Sequence, residues 1–200
     1  ERDTEKVEAV EYADLINSTA KNTLNLLDNL LNWAKSQTGE LSFIPKKINL
    51  TRIICEIIWL KESLAKAKHI SLTYSPTSDI ELYTDGNILG TILRNLIANA
   101  IKFTNQGGHI NILVTTDEDQ IQISVCDNGI GMSEETISKI FDQSTTMTSP
   151  GTENEGGSGL GLVLCREFVN RLNGRLWVES EEGKGSSFIF TLPMTVIKQI

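Results

Sequence analysis

The chain has 200 residues, enough for one ordinary domain with an appendage or for two small domains. At 40% hydrophobic and 22% charged residues it excludes a disordered chain, and no apolar run approaches the roughly 18 residues of a membrane span. The net charge of -8 argues against broad attraction to nucleic acid or anionic lipid, but leaves room for a small anionic ligand held locally. Cys55, Cys126 and Cys165 are odd in number and lack metal-ligand spacing, so they read as small core residues in a reducing compartment. No basic-plus-apolar leader opens the chain, which starts at Glu1 and reads as a piece of a longer one.

In chain order, Tyr12, Ile16, Thr19, Thr23, Leu26, Leu30 and Trp33 step by four and three, a heptad seam. A second stripe through Ala20, Leu24, Leu27, Leu31 and Ala34 widens the apolar face to that of a helix in a four-helix bundle. The helix is expected to stop near Thr38 and Gly39 and to find partners, either other helices or its own domain. Pro45 and the two lysines after it mark a short linker, which divides the chain into residues 1–42 and 43–200. Thr51 to Lys68 reads as an amphipathic helix through Ile53, Ile54, Ile57, Ile58, Leu60 and Leu64.

Short strands follow at Ile70 to Tyr74 and Ile80 to Tyr83, and Asp85 can cap a helix running through Ile97. Ile110 to Thr116 and Ile121 to Val125 alternate as strands around a turn, and Ser133 can cap a short helix with Glu134 and Glu135 in its first turn. Gln143 to Gly159 is polar and too long for a connector, as binding lids are. Leu160 to Leu172 reads as a helix, and strands at Arg175 to Glu179 and Ser187 to Leu192 close the chain. Helices and strands mix without strict alternation, so the expected class is α+β, with helices on one face of a mostly antiparallel sheet.

Three clusters carry chemistry. In N-L-I-A-N-A-I-K-F-T, Asn95, Asn99 and Lys102 share one helix face. A carboxamide oxygen suits Mg²⁺, which takes phosphate oxygens as further ligands, and the lysine supplies a point charge; a solvated polar face would look the same. In C-D-N-G-I-G-M, Asp127 ends a strand and Gly129 and Gly131 let backbone approach a flat ligand, where the carboxylate can accept from an exocyclic amine; alone this could be a plain turn. In G-G-S-G-L-G-L, glycines before a helix N-terminus let amides converge on phosphate. That loop is neither a Walker motif, since no Lys-Ser/Thr follows Gly161, nor a dinucleotide fingerprint, since the long lid precedes it in place of a strand.

In this order and spacing the three resemble the asparagine box and the two glycine boxes of the histidine-kinase ATPase family, part of a superfamily shared with heat-shock chaperones, gyrase-type topoisomerases and mismatch-repair ATPases. I-F-D-Q between the glycine boxes is similar to the family's phenylalanine box, and G-K-G-S-S-F-I-F-T-L-P to its closing strand. L-L-N-W-A-K-S-Q-T-G-E-L, from Leu30 to Leu41, is similar to the end of the second dimerisation helix of sensor kinases. The resemblance implies a two-layer sandwich of helices on a mixed sheet, preceded by a long dimerisation helix, with ATP lying between helices under the lid. It implies Asn99 as the Mg²⁺ ligand, Lys102 as a phosphate contact, Asn95 assisting at the phosphates and Phe103 flanking the nucleotide. Asp127 would read the adenine amine, Gly129 and Gly131 would shape its pocket, and Gly157, Gly159, Leu160 and Gly161 would let the lid and the next helix meet the phosphates.

The implied function is ATP binding and transfer of its γ-phosphate to a histidine, for relay to the receiver domain of a response regulator, within a homodimer formed through the N-terminal helix. The family's acceptor histidine sits on the first dimerisation helix, which this chain lacks. His69 and His109 fall inside the ATP-binding part, at element ends, where a solvated or capping imidazole is ordinary. The chain is therefore expected to bind ATP without labelling itself. No lysine or arginine lies between Lys139 and Arg166, and the lid carries Asp142, Glu153 and Glu155 instead. Ser144 stands where the family often has an aromatic, and Gly156 close to where a basic residue is common. That cation-poor lid keeps a rival in view, a non-catalytic nucleotide-responsive dimerisation module. A hydrolysing ATPase fits less well, because the position four before Asn99 is Asn95, not a water-activating acid. The segment is expected to be cytoplasmic, without contact to membrane or nucleic acid, and compatible with an inner-membrane anchor upstream.

Overall fold

The computed structural model describes residues 43–194 apart from 77, 118, 143–148, 154 and 158, and before them only residues 12, 20, 23, 27, 31 and 34. The chain divides into two compact units, Glu1–Ser42 and Phe43–Ile200. In the first, the six described residues are helical and exposed. Most of the heptad seam, including Ile16, Leu26, Leu30 and Trp33, and the helix end expected near Thr38 and Gly39 lie outside the described residues.

The second unit begins with strand β1 (Lys46–Asn49), which leads into helix α1 (Leu50–Ala67). The Asn49 side chain accepts a hydrogen bond from the Arg52 amide at 2.8 Å, satisfying one of the amides that a helix start leaves without an intrahelical partner. At the other end His69 takes a left-handed conformation (φ 53°), and the Ile70 amide turns back to the Ala65 carbonyl at 2.8 Å. Leu50, Ile54, Ile57 and Ala65 are buried, whereas Leu60 and Leu64, expected in the core, are exposed beside Trp59. The helix carries apolar residues on more than one face, and its neighbours select the face that includes Ala65.

Strands β2 (Ser71–Tyr74) and β3 (Glu81–Thr84) lead to helix α2 (Gly86–Phe103). Asp85 caps α2 as expected: one carboxylate oxygen accepts from the Asn87 and Ile88 amides, and the other accepts from the Ile44 amide at 2.9 Å. Gly86, Gly90 and several β-branched residues make α2 a weak helix by propensity, at costs of about 0.5–1 kcal/mol each. Burial decides the matter, because Leu89, Ile92, Leu93, Leu96 and Ile97 are completely enclosed and each contributes about 1.5–3 kcal/mol. Strands β4 (His109–Thr116) and β5 (Gln120–Asp127), short helix α3 (Glu134–Lys139), helix α4 (Gly161–Arg171), and strands β6 (Arg175–Glu181) and β7 (Gly185–Pro193) complete the chain. Ser133 caps α3 by accepting from the Thr136 amide.

The main sheet has five strands in the order β2-β4-β5-β7-β6, antiparallel except for the parallel pair β2–β4. Helices α1, α2 and α4 pack on it and on one another, giving the two-layer α+β architecture expected. Ile121, Ile123 and Val125 of β5 and Phe190 of β7 are fully buried at the sheet's centre. One departure concerns the supposed linker after Pro45. Lys46–Asn49 is strand β1, and it pairs antiparallel with β3 in a separate two-stranded sheet, setting Ile48 opposite Leu82 with both side chains inside. Of the cysteines, Cys165 is buried as expected and Cys126 partly so, but Cys55 is exposed.

Candidate functional site

The site is assembled around the C-terminal half of α2. Asn95 is half-buried; its Nδ2 donates to the Thr91 carbonyl at 3.0 Å. Its Oδ1 faces the start of α4, 3.1 Å from where a Cβ on Gly161 would stand. One turn further along, Asn99 is half-buried and its carboxamide has no hydrogen-bond partner among the described residues. Since no fully buried side-chain polar atom lacks a partner among those residues, that amide remains open to a ligand from solvent.

Lys102, three residues on, sends its ammonium to the Ser149 carbonyl at 2.7 Å, 4.7 Å from the centre of the Phe103 ring. The same Nζ lies 2.9 Å from where a Cβ on Gly157 would be. Burial lowers the Lys102 pKa, and the nearby Glu155 carboxylate works against that shift. One helix face thus meets the last glycine-rich loop at two points.

The same helix meets the loop after β5. The Phe103 carbonyl, at the last turn of α2, accepts from the Ile130 amide at 3.1 Å. Gly129 sits so close beneath it that an added Cβ would collide with that carbonyl. Gly131 has φ +64° and lies against the Glu181 carbonyl, so it needs both a left-handed backbone and no side chain. Asp127, at the end of β5, accepts through Oδ1 from the Gly129 amide at 2.9 Å and the Ser186 amide at 3.3 Å. Burial raises its pKa, countered in part by those two backbone bonds. Its Oδ2 has no partner among the described residues.

Helix α4 starts at Gly161, and Leu160 at its N-cap position makes no side-chain cap hydrogen bond. Gly157, Gly159, Leu160 and Gly161 precede or open that helix. Among the described residues no three His, Cys, Asp or Glu side chains gather into an all-protein metal site. A Mg²⁺ ion here would therefore rely on the Asn99 carboxamide together with ligand oxygens and water, which suits that ion. His69 and His109 are exposed and stand at the end of α1 and the start of β4. Ser144 lies outside the described residues.

Sequence reasoning missed Ser186, whose amide reaches Asp127 only because β7 pairs with β5 in the register Asp127↔Ser186. It also missed Lys68. That lysine follows α1 with its side chain only 5% exposed, and its Nζ donates to Ile101 O, Lys102 O, Thr152 Oγ1 and Glu155 Oε1. The signal was present: Ile54, Ile57, Lys61, Ala65 and Lys68 step by three and four along one face.

Residues 84–196, more than half of the chain, match the family described as histidine kinase-, DNA gyrase B-, and HSP90-like ATPase. The chain belongs to that family. Within this ATPase family the chain is similar to sensor kinases. Sensor histidine kinase WalK of Bacillus subtilis (strain 168) is 33% identical over 173 residues, a match covering 85% of this chain and 28% of WalK. The nucleotide-free catalytic domain of histidine kinase ThkA superposes with a TM-score of 0.67 at 29% identity, covering 76% of this chain and 98% of that one. ThkA solved in complex with the response regulator TrrA gives a TM-score of 0.70 at 25% identity, covering 90% of this chain and 50% of the ThkA chain. The chain is a histidine-kinase ATPase domain with preceding residues, and it spans less than a third of WalK's length. Among the described residues no helix is long and apolar enough to cross a membrane.

Proposed function

We propose that this chain binds Mg·ATP on α2 and presents the γ-phosphate to a histidine on a dimerisation helix outside the chain, for relay to a response-regulator receiver domain. The observation that carries this reading is the meeting of three sequence clusters on one helix: Asn99 open on its face, Lys102 against the last glycine loop, and Phe103 against the loop of Asp127. Asp127 Oδ2 accepts from the adenine amine while Oδ1 stays tied to Gly129 and Ser186, which fixes the carboxylate's plane. Phe103 and the glycines of the loop flank the base. Lys102 balances phosphate charge, and the uncapped amides of α4, from Gly161 on, add donors at the helix's positive end. Asn99, with Asn95 beside it, would hold Mg²⁺, which when bound neutralises charge on the phosphate oxygens. The chain's first unit, residues 1–42, serves as the second dimerisation helix of a homodimer, and residues 43–200 as the catalytic domain. ThkA has been solved with a response regulator, which supports the same class of partner here. With no acceptor histidine on its helix, the chain itself is not expected to become phosphorylated.

Calorimetric titration of Mg·ATP tests this. The parent should bind, and Asn99→Ala should bind weakly with an affinity that no longer responds to magnesium. Metal-dependent binding that survives in Asn99→Ala would reject the assignment of Asn99.

The absence of lysine and arginine between Lys139 and Arg166 favours a second reading, a nucleotide-responsive dimerisation module that does not transfer phosphate. Transfer to a supplied first dimerisation helix separates the two. The same feature predicts that affinity is limited by missing positive charge. Gly156 is exposed, with nothing within 4 Å of an added Cβ, so a side chain fits there. Gly156→Lys should tighten ATP about fivefold, as expected for about 1 kcal/mol from one exposed charge near phosphate. Equal affinities by calorimetry would mean that charge is not what limits binding.

A further inference from the structure

We propose that Lys68 and Glu155 form a positioning pair that holds Gly151, Thr152 and Glu155 against the end of α2 and so sets the stance of Lys102 at the phosphate site. The proposal rests on the nucleotide reading above and adds to it a pair of residues that touch neither base nor phosphate in that reading.

An ammonium has three protons to give. The Lys68 Nζ, with four oxygens in reach, is saturated: Ile101 O at 2.9 Å, Lys102 O at 3.2 Å, Thr152 Oγ1 at 2.6 Å and Glu155 Oε1 at 2.8 Å. Two of these belong to the last turn of α2 and two to the segment after Pro150, so one buried cation joins them. Burying a lysine this deeply is costly unless its charge is paired and its donors are used, and here both conditions hold.

The bonds continue outward from the pair. Thr152 donates its hydroxyl to the Thr104 carbonyl at 2.9 Å and its amide to the Lys102 carbonyl at 3.1 Å. Glu155 Oε2 accepts from the Glu153 amide at 2.8 Å, and the Glu155 carbonyl accepts from the Gly151 amide at 3.0 Å. Gly151 is pinned between the Glu155 carboxylate and the Lys102 stem: an added Cβ would lie 2.6 Å from Lys102 Cγ. The ammonium of Lys102 rests on Ser149 O, two residues before Gly151. Lys102 is therefore held at its backbone by Lys68 and Thr152, along its stem by Gly151, and at its tip by Ser149. Releasing Glu155 frees this frame without touching Asp127 or Asn99.

The test compares ATP with adenosine, which needs the Asp127 side of the site but not the phosphate side. Calorimetry on the whole chain should show Glu155→Ala weakening ATP about tenfold, the loss expected of one charge-assisted hydrogen bond, with adenosine unchanged. Glu155→Gln, which keeps an acceptor for Lys68, should recover most of that loss. Lys68→Met should show the same split between ligands, and Lys68→Met combined with Glu155→Ala should be no weaker than the worse single variant. Amide hydrogen exchange at Gly151 and Thr152 should quicken in both single variants. If the parent binds both ligands and Glu155→Ala binds ATP as the parent does, or if ATP and adenosine weaken together, the pair does not position Lys102. A parent that binds neither ligand defeats the nucleotide reading itself, and this role with it. Should Lys68→Met fail to fold, Glu155→Ala and Glu155→Gln decide alone.

Discussion

Asp127→Asn should melt at a higher temperature than the parent chain at neutral pH, yet bind ATP about 10–100-fold more weakly. The two effects have one cause. Burial raises the pKa of the Asp127 carboxyl, so the folded chain holds that proton to higher pH than the unfolded chain does. A group shifted upward stabilises the fold fully below its unfolded pKa, and that contribution is lost as pH rises through the folded value. At neutral pH the carboxylate is thus a liability that an amide avoids. Asparagine keeps an oxygen to accept from Gly129 and Ser186, so the loop geometry survives. What disappears is the negative acceptor for an exocyclic amine. Melting curves from about pH 3 to 8 should show the variant's advantage growing from the acid side and levelling off toward neutrality. A variant that melts lower throughout, or binds ATP as the parent does, would remove Asp127 from the site.

Gly129→Ala should cost about 2–3 kcal/mol of stability and abolish measurable adenosine binding. A methyl there meets the Phe103 carbonyl and the Asp127 side-chain oxygen, both fixed by their own bonds. Relief requires moving the loop off α2, which breaks the Ile130–Phe103 hydrogen bond and tilts the Asp127 carboxylate, so that under the nucleotide proposal it would no longer meet the base. Gly156→Ala provides the contrast, since that Cβ points into open space and should change stability by less than about 0.5 kcal/mol. Urea unfolding of the two alanine variants side by side is the measurement. Equal midpoints would show that the close approach at Gly129 is not a constraint.

How far the sequence could be read differed from element to element, for physical reasons. Asp85 and Ser133 announced their helices because a cap is a local interaction, complete within three residues. The clustering of Asn95, Asn99 and Lys102 was legible for a similar reason, being a matter of helical period alone. Strand β1 was not, because K-K-I-N has almost no alternation of its own; its pairing is imposed by Leu82 across from Ile48. On α1 the period was right and Ile54 and Ile57 face inward, but Leu60 and Leu64 do not. Apolar residues lie on several sides of that helix, so the sequence offers more than one face, and the neighbours select the one on which Ala65 turns inward while Leu60 and Leu64 turn out. Ser186 and Glu155 were invisible because each acts through a contact some sixty to ninety residues distant in sequence, at Asp127 and Lys68.

The parallel pairing of β2 with β4 also shapes how the protein assembles itself. Parallel neighbours cannot be joined by a tight turn, so the chain between Tyr74 and His109 must cross over, carrying β3 and the whole of α2. By contrast, β4–β5 and β6–β7 are hairpins closed by only a few residues each, and such local pairs form at little entropic cost. Contact order therefore predicts that the hairpins form early and that edge strand β2 and the packing of α2 close later. A ligand seated between Asn99 on α2 and Asp127 at the tip of β5 bridges late-forming structure to early-forming structure. Its stabilisation is then largely absent from the folding barrier, so it acts mainly by slowing the escape from the native state and hardly at all by hastening arrival there.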